Sequence, residues 1–285
     1  MNQDPRSRLF RLQDLALPSP MAQEILAVLA DDQADLEEVA AIIETYPELT
    51  TRILRCANSA YYGHRGKIQS VAEAIIRVLG LSMTKALALS LSLESLLRVE
   101  SCPAFREERH WYLSVLSAHL ARALTPLRNG EPHPSPGAAY AAGLLHDLGI
   151  RALAALFPAE MQRVFTAETG DQRALMRELL GMDAEQAGAF LARRWGLPEP
   201  LCQAIALCRS PLAEVRDNPL AEGVAIAVVL AENSLEREGP PPFPETAGTH
   251  WGSRTEIARV IAGVIQRAEE FRTMARALTR PAGDA

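Results

Sequence analysis

The chain has 285 residues, of which 48% are hydrophobic and 22% are charged, enough apolar material for one large domain or two smaller ones. Its formal net charge of −6 argues against attraction of the whole protein to nucleic acid or an anionic membrane, so direct DNA binding is not expected. The four cysteines form no C-x-x-C spacing, which argues against a zinc or dithiol redox centre. Neither a leader-like segment nor a membrane-spanning apolar run is present, so a cytoplasmic location is expected.

Helix-start signals, in which a short acceptor precedes a carboxylate by three residues, occur at three places in the chain. The pairs are Asp35 with Glu38, Ser70 with Glu73, and Ser253 with Glu256. Helices are therefore predicted to begin near residues 36, 71 and 254. Between such signals apolar residues recur at intervals of three and four, which is typical of core-facing helices. No alternating strand pattern is present, so the sequence predicts an all-α protein.

Glycine and proline divide the predicted helices. Gly80 is predicted to close one helix in the left-handed conformation, before another helical run toward Leu97. Residues 128–137 and 239–252 are rich in proline and glycine, which predicts loops because proline removes backbone donors. Helices are expected over 110–124 and 138–156. A last helix is expected over 255–278, docked either on its own domain or on a partner.

The octet from Gly143 to Ile150, GLLHDLGI, places His146 beside Asp147 on a predicted helix. The two side chains offer one imidazole nitrogen and one carboxylate to a divalent cation. A lone pair of this kind is more often a hydrogen-bonded feature of a helix than a metal site. The dipeptide alone therefore does not identify a function.

Four other motifs precede this octet in a fixed order: LPSP at 17–20, YPELT at 46–50, ANSAYYG at 57–63 and AIIRVLGL at 74–81. The ordered series resembles the HDOD family, a class of bacterial signalling modules. The resemblance implies an all-α fold in which an N-terminal multi-helix subdomain packs on a C-terminal subdomain similar to HD phosphohydrolases. It also implies a role as an output or scaffold module.

The resemblance divides the chain into three parts. Residues 1–14 are an N-terminal extension, and residues 15–233 are the HDOD domain. Within that domain we expect an N-terminal helical subdomain over 15–102 and an HD-like helical subdomain over 103–233. Residues 234–285 contain the proline-rich loop and the C-terminal helix.

Hydrolysis by HD enzymes requires several histidines and carboxylates from different helices around one or two metal ions. The resemblance implies four further ligand positions, which here hold Leu113, Ala184, Cys208 and Arg209. Leucine and alanine cannot bind a metal, and the fixed charge of the arginine opposes a cation beside the cysteine. The substitute considered for the first position, His119, lies about 120° around the helix from it. We therefore expect His119 to pack locally.

The leading hypothesis is thus a non-catalytic module without catalytic residues, cofactor or bound metal, in which His146 and Asp147 are a vestigial pair. The main alternative is a divergent phosphohydrolase with a divalent metal at His146 and Asp147, completed by Asp183, Glu185 or Glu232. A second alternative is a nucleotide sensor that binds without turnover. Signalling proteins are the expected partners. The sequence leaves open whether the chain forms a homo-oligomer.

The segment 58–67, NSAYYGHRGK, combines aromatic and basic residues on a predicted loop and is the candidate surface for a partner or an anion. Its candidate residues are Asn58, Tyr61, Tyr62, Gly63, His64, Arg65 and Lys67. The alternative interpretation is structural: Asn58 pins a turn, the tyrosines cover the end of the bundle and the basic residues are solvated. The two interpretations are compatible with each other.

Overall fold

Amphipathic and fully apolar helices fill the chain, as its hydrophobic spacing predicts. The computed structural model describes residues 20–30, 34–59, 67–131, 133–168, 170–236 and 239–279, and in these ranges the one extended pairing is an isolated bridge between Arg128 and Trp251. The α-helices are α1 Pro20–Ala30, α2 Leu36–Glu44, α3 Pro47–Ala57, α4 Val71–Ala74, α5 Leu81–Glu94, α6 Glu107–Leu124, α7 Pro136–Leu145, α8 Leu148–Leu156, α9 Pro158–Thr166, α10 Gln172–Leu180, α11 Ala184–Arg194, α12 Glu199–Leu207, α13 Pro219–Asn233, α14 Arg254–Ile265 and α15 Ala268–Thr279.

The three predicted helix starts are confirmed by their caps. Asp35, Ser70 and Ser253 each accept a hydrogen bond from the backbone N–H three residues later, at 2.9, 3.1 and 3.3 Å. These bonds satisfy amide groups that the first turn of a helix leaves without a partner. A fully reciprocal capping box forms at another helix start, α11, between Asp183 and Gln186.

The prediction that Gly80 adopts the left-handed helical conformation is wrong. Gly80 has φ 73° but ψ 162°, so only its positive φ matches the expectation. The preceding turn, Ile75–Leu79, is a π-helix, and the Gly80 amide donates to the Ile75 carbonyl at 2.9 Å. That bond ends the helix without a left-handed residue, and the glycine is needed only for its positive φ.

Two helices predicted as continuous are each divided in two. The segment 138–156 is interrupted between α7 and α8, where Asp147 has φ −94° and ψ 14°. The segment 255–278 is interrupted between α14 and α15. His146 and Asp147 therefore lie at a junction between helices rather than inside one.

The central helix of the fold is α6, which packs against α7, α13, α14 and α15. All of its residues from His110 to Ala121 are buried, as expected for a helix covered on every side. The helix α5 packs on α7, and α15 packs on both α6 and α3. The last helix thus docks on its own chain and joins the two halves.

The two predicted loops meet each other over the buried carboxylate of Glu222 on α13. Glu222 is fully buried and accepts a hydrogen bond from Arg128 at 3.0 Å. The imidazole Nε2 of His250 lies 2.7 Å from its other oxygen. Because Arg128 and His250 belong to different loops, one carboxylate anchors both segments to the helical core.

No single helix within the described ranges combines the length and the apolar composition needed to cross a membrane. The segment 136–156, taken with α9, passes that test only as a pair bent by 119°.

Candidate functional site

The His146–Asp147 pair lies in the interior, where α8 and α11 approach each other closely. His146 is 2% exposed and Asp147 is 5% exposed. A Cβ atom at Gly149 would lie 1.8 Å from the Ala184 carbonyl oxygen, so only glycine permits this approach. The contact brings the first turn of α8 against the first turn of α11, and with it Asp147 toward Glu185.

The guanidinium group of Arg209 stands among three carboxylates from three different helix ends. Its Nη2 lies 2.7 Å from Oδ1 of Asp147 and 2.9 Å from Oε1 of Glu232. Its Nη1 lies 3.2 Å from Oε1 of Glu185. Charge-assisted hydrogen bonds of this kind are the stronger class. Two of the carboxylates that sequence reasoning considered as extra metal ligands therefore converge on Asp147, but they do so around an arginine.

The ion cluster formed by Arg209, Asp147, Glu185 and Glu232 fixes the charge states of Asp147 and Arg209. Burial would raise the pKa of Asp147, but the positive charge of Arg209 and contact with His146 hold it well below its usual range. Burial would lower the pKa of Arg209, and the surrounding carboxylates raise it instead. Both groups are therefore ionised at neutral pH.

His146 has both ring nitrogens engaged inside the chain. Its Nδ1–H donates to the Gly143 carbonyl at 2.8 Å, and its Nε2 lies 3.4 Å from Oδ2 of Asp147. The imidazole thus links the last turn of α7 to the carboxylate that begins α8. Its role in the described contacts is to hold the junction between these helices.

The other positions at which the resemblance implies ligands lie around the ion cluster. Leu113 lines a cavity beside it, and Ala184 is buried in the contact with Gly149. Cys208 is fully buried, with its Sγ 3.8 Å from the His146 carbonyl oxygen. Burial raises the pKa of this thiol to about 12, so the sulfur is protonated at neutral pH.

Asp183, the third carboxylate considered as an extra metal ligand, makes its contacts outside the ion cluster. It caps α11 and accepts hydrogen bonds from Arg177 at 2.8 and 2.5 Å. Arg173 lies between the ion cluster and Asp183. It is 3.1 Å from Glu185 of the cluster and 3.5 Å from Asp183. Within the described residues no group of three or more histidine, cysteine, aspartate or glutamate side chains is arranged to hold a metal ion.

A cavity of about 560 Å³ opens beside the ion cluster, in the size range of ligand pockets. Its lining includes the buried Asp147 and Glu185, Arg209, and the exposed Arg106 and Arg109. The wall includes His110, which is 7% exposed and whose Nδ1 has no hydrogen-bond partner among the described residues. The cavity therefore offers both charge signs and one buried imidazole nitrogen to a bound molecule.

The sequence matches a known family over most of the same region. A profile of the HDOD domain matches residues 15–211. The chain belongs to the HDOD domain family. An uncharacterized protein of Treponema pallidum (strain Nichols) is 27% identical over 222 residues, which are 76% of this chain and 42% of that relative. The HDOD chain thus spans less than half the length of the relative.

Solved structures share the fold. A Marinobacter aquaeolei VT8 protein, for which a signal transduction role is proposed, has 22% identity, a TM-score of 0.82 and coverage of 97% of this chain and 66% of its own. A Shewanella amazonensis SB2B protein, for which phosphohydrolase activity is proposed, has 21% identity, a TM-score of 0.72 and coverage of 96% and 98%. The MmoQ response regulator of Methylococcus capsulatus str. Bath has 29% identity, a TM-score of 0.51 and coverage of 88% and 99%.

These comparisons confirm the family assignment and the all-α HD-like fold predicted from the motifs. Two of these structures carry a signalling description, one as a proposed signal transduction protein and one as a response regulator. The matched region ends at residue 211, before α13, so Glu232 of the ion cluster comes from outside it.

The candidate loop 58–67 lies largely outside the described residues. Tyr61, Tyr62, Gly63, His64 and Arg65 fall there, whereas Asn58 and Lys67 are described. The Asn58 side chain donates to the Ile68 carbonyl at 2.9 Å and accepts from the Ile68 amide at 2.8 Å. Asn58 therefore pins the two ends of the loop together, and Lys67 is exposed beside it.

A second buried ion cluster joins the two halves of the HDOD chain, and sequence reasoning did not identify it. Glu94 of α5 is 6% exposed. Its carboxylate lies 3.4 Å from His110, 3.7 Å from Arg151 and 4.0 Å from Arg52. The signal available in the sequence was Glu94, the single charged residue in the run LALSLSLE. A carboxylate in such a run is costly to bury without partners.

Proposed function

We propose that this HDOD protein is a non-catalytic bacterial signalling module that acts in the cytoplasm by binding partner proteins or a small ligand. The observation that carries the proposal is the guanidinium of Arg209, placed among Asp147, Glu185 and Glu232. These are the carboxylates of the described chain that surround the position where HD chemistry would need a divalent cation. An arginine keeps its charge at any physiological pH and cannot activate water as a metal does.

The remaining donors support the same proposal. Both ring nitrogens of His146 make contacts within the chain. Leu113 and Ala184 present no donor atom in their side chains, and the Cys208 thiol stays protonated because burial raises its pKa. A metal ion would have to displace Arg209 into solvent and leave the guanidinium to find new partners.

The cytoplasmic part of the proposal is supported by the cysteines. Cys56, Cys102, Cys202 and Cys208 are all buried free thiols, which is the usual state in a reducing compartment. The partner-binding part is supported by family membership and by the loop 58–67, whose ends Asn58 holds together.

The second candidate function is a divergent metal-dependent phosphohydrolase, favoured by the convergence of Asp147, Glu185 and Glu232 beside the cavity. In that case Arg209 would move out when metal enters. A nucleotide sensor without turnover is favoured by the size of the cavity and by Arg106 and Arg109 in its lining. Both alternatives place the ligand in the same cavity.

The deciding experiment measures metal content by elemental mass spectrometry in protein purified without chelator. The wild type is compared with Asp147→Ala and with Asp217→Ala, a control at an exposed position. We expect substoichiometric metal in all three proteins and no Asp147-dependent hydrolysis of bis(p-nitrophenyl) phosphate with added manganese. Near-stoichiometric metal in the wild type and the control, lost in Asp147→Ala, would overturn the proposal in favour of the phosphohydrolase.

A further inference from the structure

A second concave surface lies far along α6 from the His-Asp junction, at the C-terminal end of that helix. It is an open trough of about 640 Å³ between the end of α6, the start of α7 and the helices α14 and α15. We call it the C-terminal groove and define it by Arg122, Arg259, Gly263, Val264, Arg267 and Phe271. All of these residues except Arg122 lie beyond the part of the chain that matches the family.

The C-terminal groove carries positive charge from three sides. Arg122, Arg259 and Arg267 line it, and no carboxylate is among its described lining residues. Arg267 forms an ion pair with Glu270 at 2.9 Å. Arg122 contacts the Met83 sulfur at 2.7 Å and has no carboxylate partner in the described part of the chain, nor has Arg259. Arg122 and Arg267 both lie close enough to the buried ring of His119 to lower its pKa.

The lower part of the C-terminal groove is apolar. Phe271 of α15 is 1% exposed and stacks on His119 of α6, with ring centroids 4.5 Å apart. Val264 lies beside them, partly exposed. An apolar lower part with a cationic rim suits an occupant that has both apolar and acidic groups.

Gly263 lies in the middle of α14, where glycine costs about 1 kcal/mol relative to alanine. A Cβ atom at this position would meet nothing within 4 Å, so packing within the chain gives no reason for a glycine. The backbone of α14 is therefore exposed at the centre of the groove. Another chain could approach it closely there.

We infer that the C-terminal groove is a docking site for an acidic segment of a partner protein, in which carboxylate side chains alternate with apolar ones. The groove is open along its length, whereas sites for small molecules enclose most of the ligand. Carboxylates pair with Arg122 and Arg259, apolar side chains cover Val264, and the partner backbone passes over Gly263. This inference deepens the proposed function by naming a partner surface, and it does not depend on the metal test.

The test uses fluorescence anisotropy with a labelled twelve-residue peptide of alternating Glu and Leu, against full-length protein. A peptide with Gln in place of Glu is the probe control. We expect the acidic peptide alone to bind the wild type, with affinity that falls as sodium chloride is raised. The variant Arg122→Glu/Arg259→Glu should bind about tenfold more weakly or worse, because like charges then face the peptide.

Two further variants separate docking from folding. Arg163→Glu/Arg194→Glu makes the same charge change at exposed arginines outside the groove and should keep affinity within about twofold of the wild type. Gly263→Leu should fold with an unlowered melting temperature, because the space above it is open, and should lose the peptide. Equal affinity across all variants, or no binding to the wild type, would overturn the inference. Pyrophosphate binding at Arg122 and Arg259 without peptide binding would overturn it too.

Discussion

At the scale of single residues, Arg209 decides what the His-Asp junction can do. The position follows the end of α12, and its guanidinium reaches Asp147 and Glu185 across the interior. Asp147 and Glu185 are buried, and burying two carboxylates without a cation would cost several kcal/mol each. Arg209 supplies that cation as part of the chain, so the fold does not depend on a metal for charge balance.

The substitution Arg209→Ala should therefore destabilise the protein by about 3–5 kcal/mol, because it leaves the buried Asp147 carboxylate without a guanidinium partner. If the guanidinium stands in for a cation, millimolar manganese should raise the melting temperature of Arg209→Ala and leave that of the wild type unchanged. Differential scanning fluorimetry measures both. Arg177→Ala is the matched control, since Arg177 pairs with Asp183 outside the ion cluster. An equal effect of manganese on the wild type and Arg209→Ala would contradict this account.

At the scale of elements, α15 connects the two halves of the chain by packing on both α3 and α6. Its buried residues are Phe271, Met274, Ala275 and Leu278. Arg52 of α3 donates a hydrogen bond to the Leu278 carbonyl near the end of α15. His119 of α6 is buried against Phe271 and lies near Arg122 and Arg267, which lowers its pKa, so the imidazole is neutral where α15 docks.

Docking of α15 should consequently weaken in acid. Burial, with the charges of Arg122 and Arg267, lowers the pKa of His119 to about 3, whereas in the unfolded chain it is about 6.5. Between these values the unfolded chain binds the extra proton, so the stability is present above about pH 6.5 and is lost as the pH falls toward 3, by up to about 1.4 kcal/mol per pH unit. His119→Phe should flatten this dependence in urea unfolding measured from pH 7 to 4.

The control for this prediction is His133→Phe, which changes a histidine that is exposed. It should retain the pH dependence of the wild type. A pH dependence that is the same in His119→Phe as in the wild type would show that another group is responsible.

At the scale of the whole molecule, buried ionic contacts connect the two halves. Glu94 of α5 faces Arg52 of α3, His110 of α6 and Arg151 of α8. His110 also lines the cavity beside the Arg209 ion cluster. A ligand or partner that engages the cavity would thus contact a residue tied directly to the N-terminal half.

The substitution Glu94→Gln should lower the free energy of unfolding by about 3–5 kcal/mol, because it leaves two buried guanidinium groups without this carboxylate. Urea denaturation followed by circular dichroism measures the loss, and an altered m-value or a second transition would report separation of the halves. Glu100→Gln, at an exposed position with no ion pair among the described residues, should stay within about 0.5 kcal/mol of the wild type. A similarly small effect of Glu94→Gln would contradict a joining role.

The sequence by itself determined the helical class, the starts of α2, α4 and α14, and the family. These features depend on residues close together in the chain or on an ordered set of motifs. The sequence did not determine where Arg209 lies, because the hydrogen bonds of Arg209 reach residues 62, 24 and 23 positions away in the chain.

Sequence spacing also did not reveal the partners of Glu94, the stacking of His119 on Phe271 or the groove around Gly263. Each depends on how helices distant in sequence pack against one another, as at Gly149, where a missing Cβ sets the distance between α8 and α11. Local spacing specifies which face of a helix is apolar, whereas only tertiary packing decides which buried charges meet.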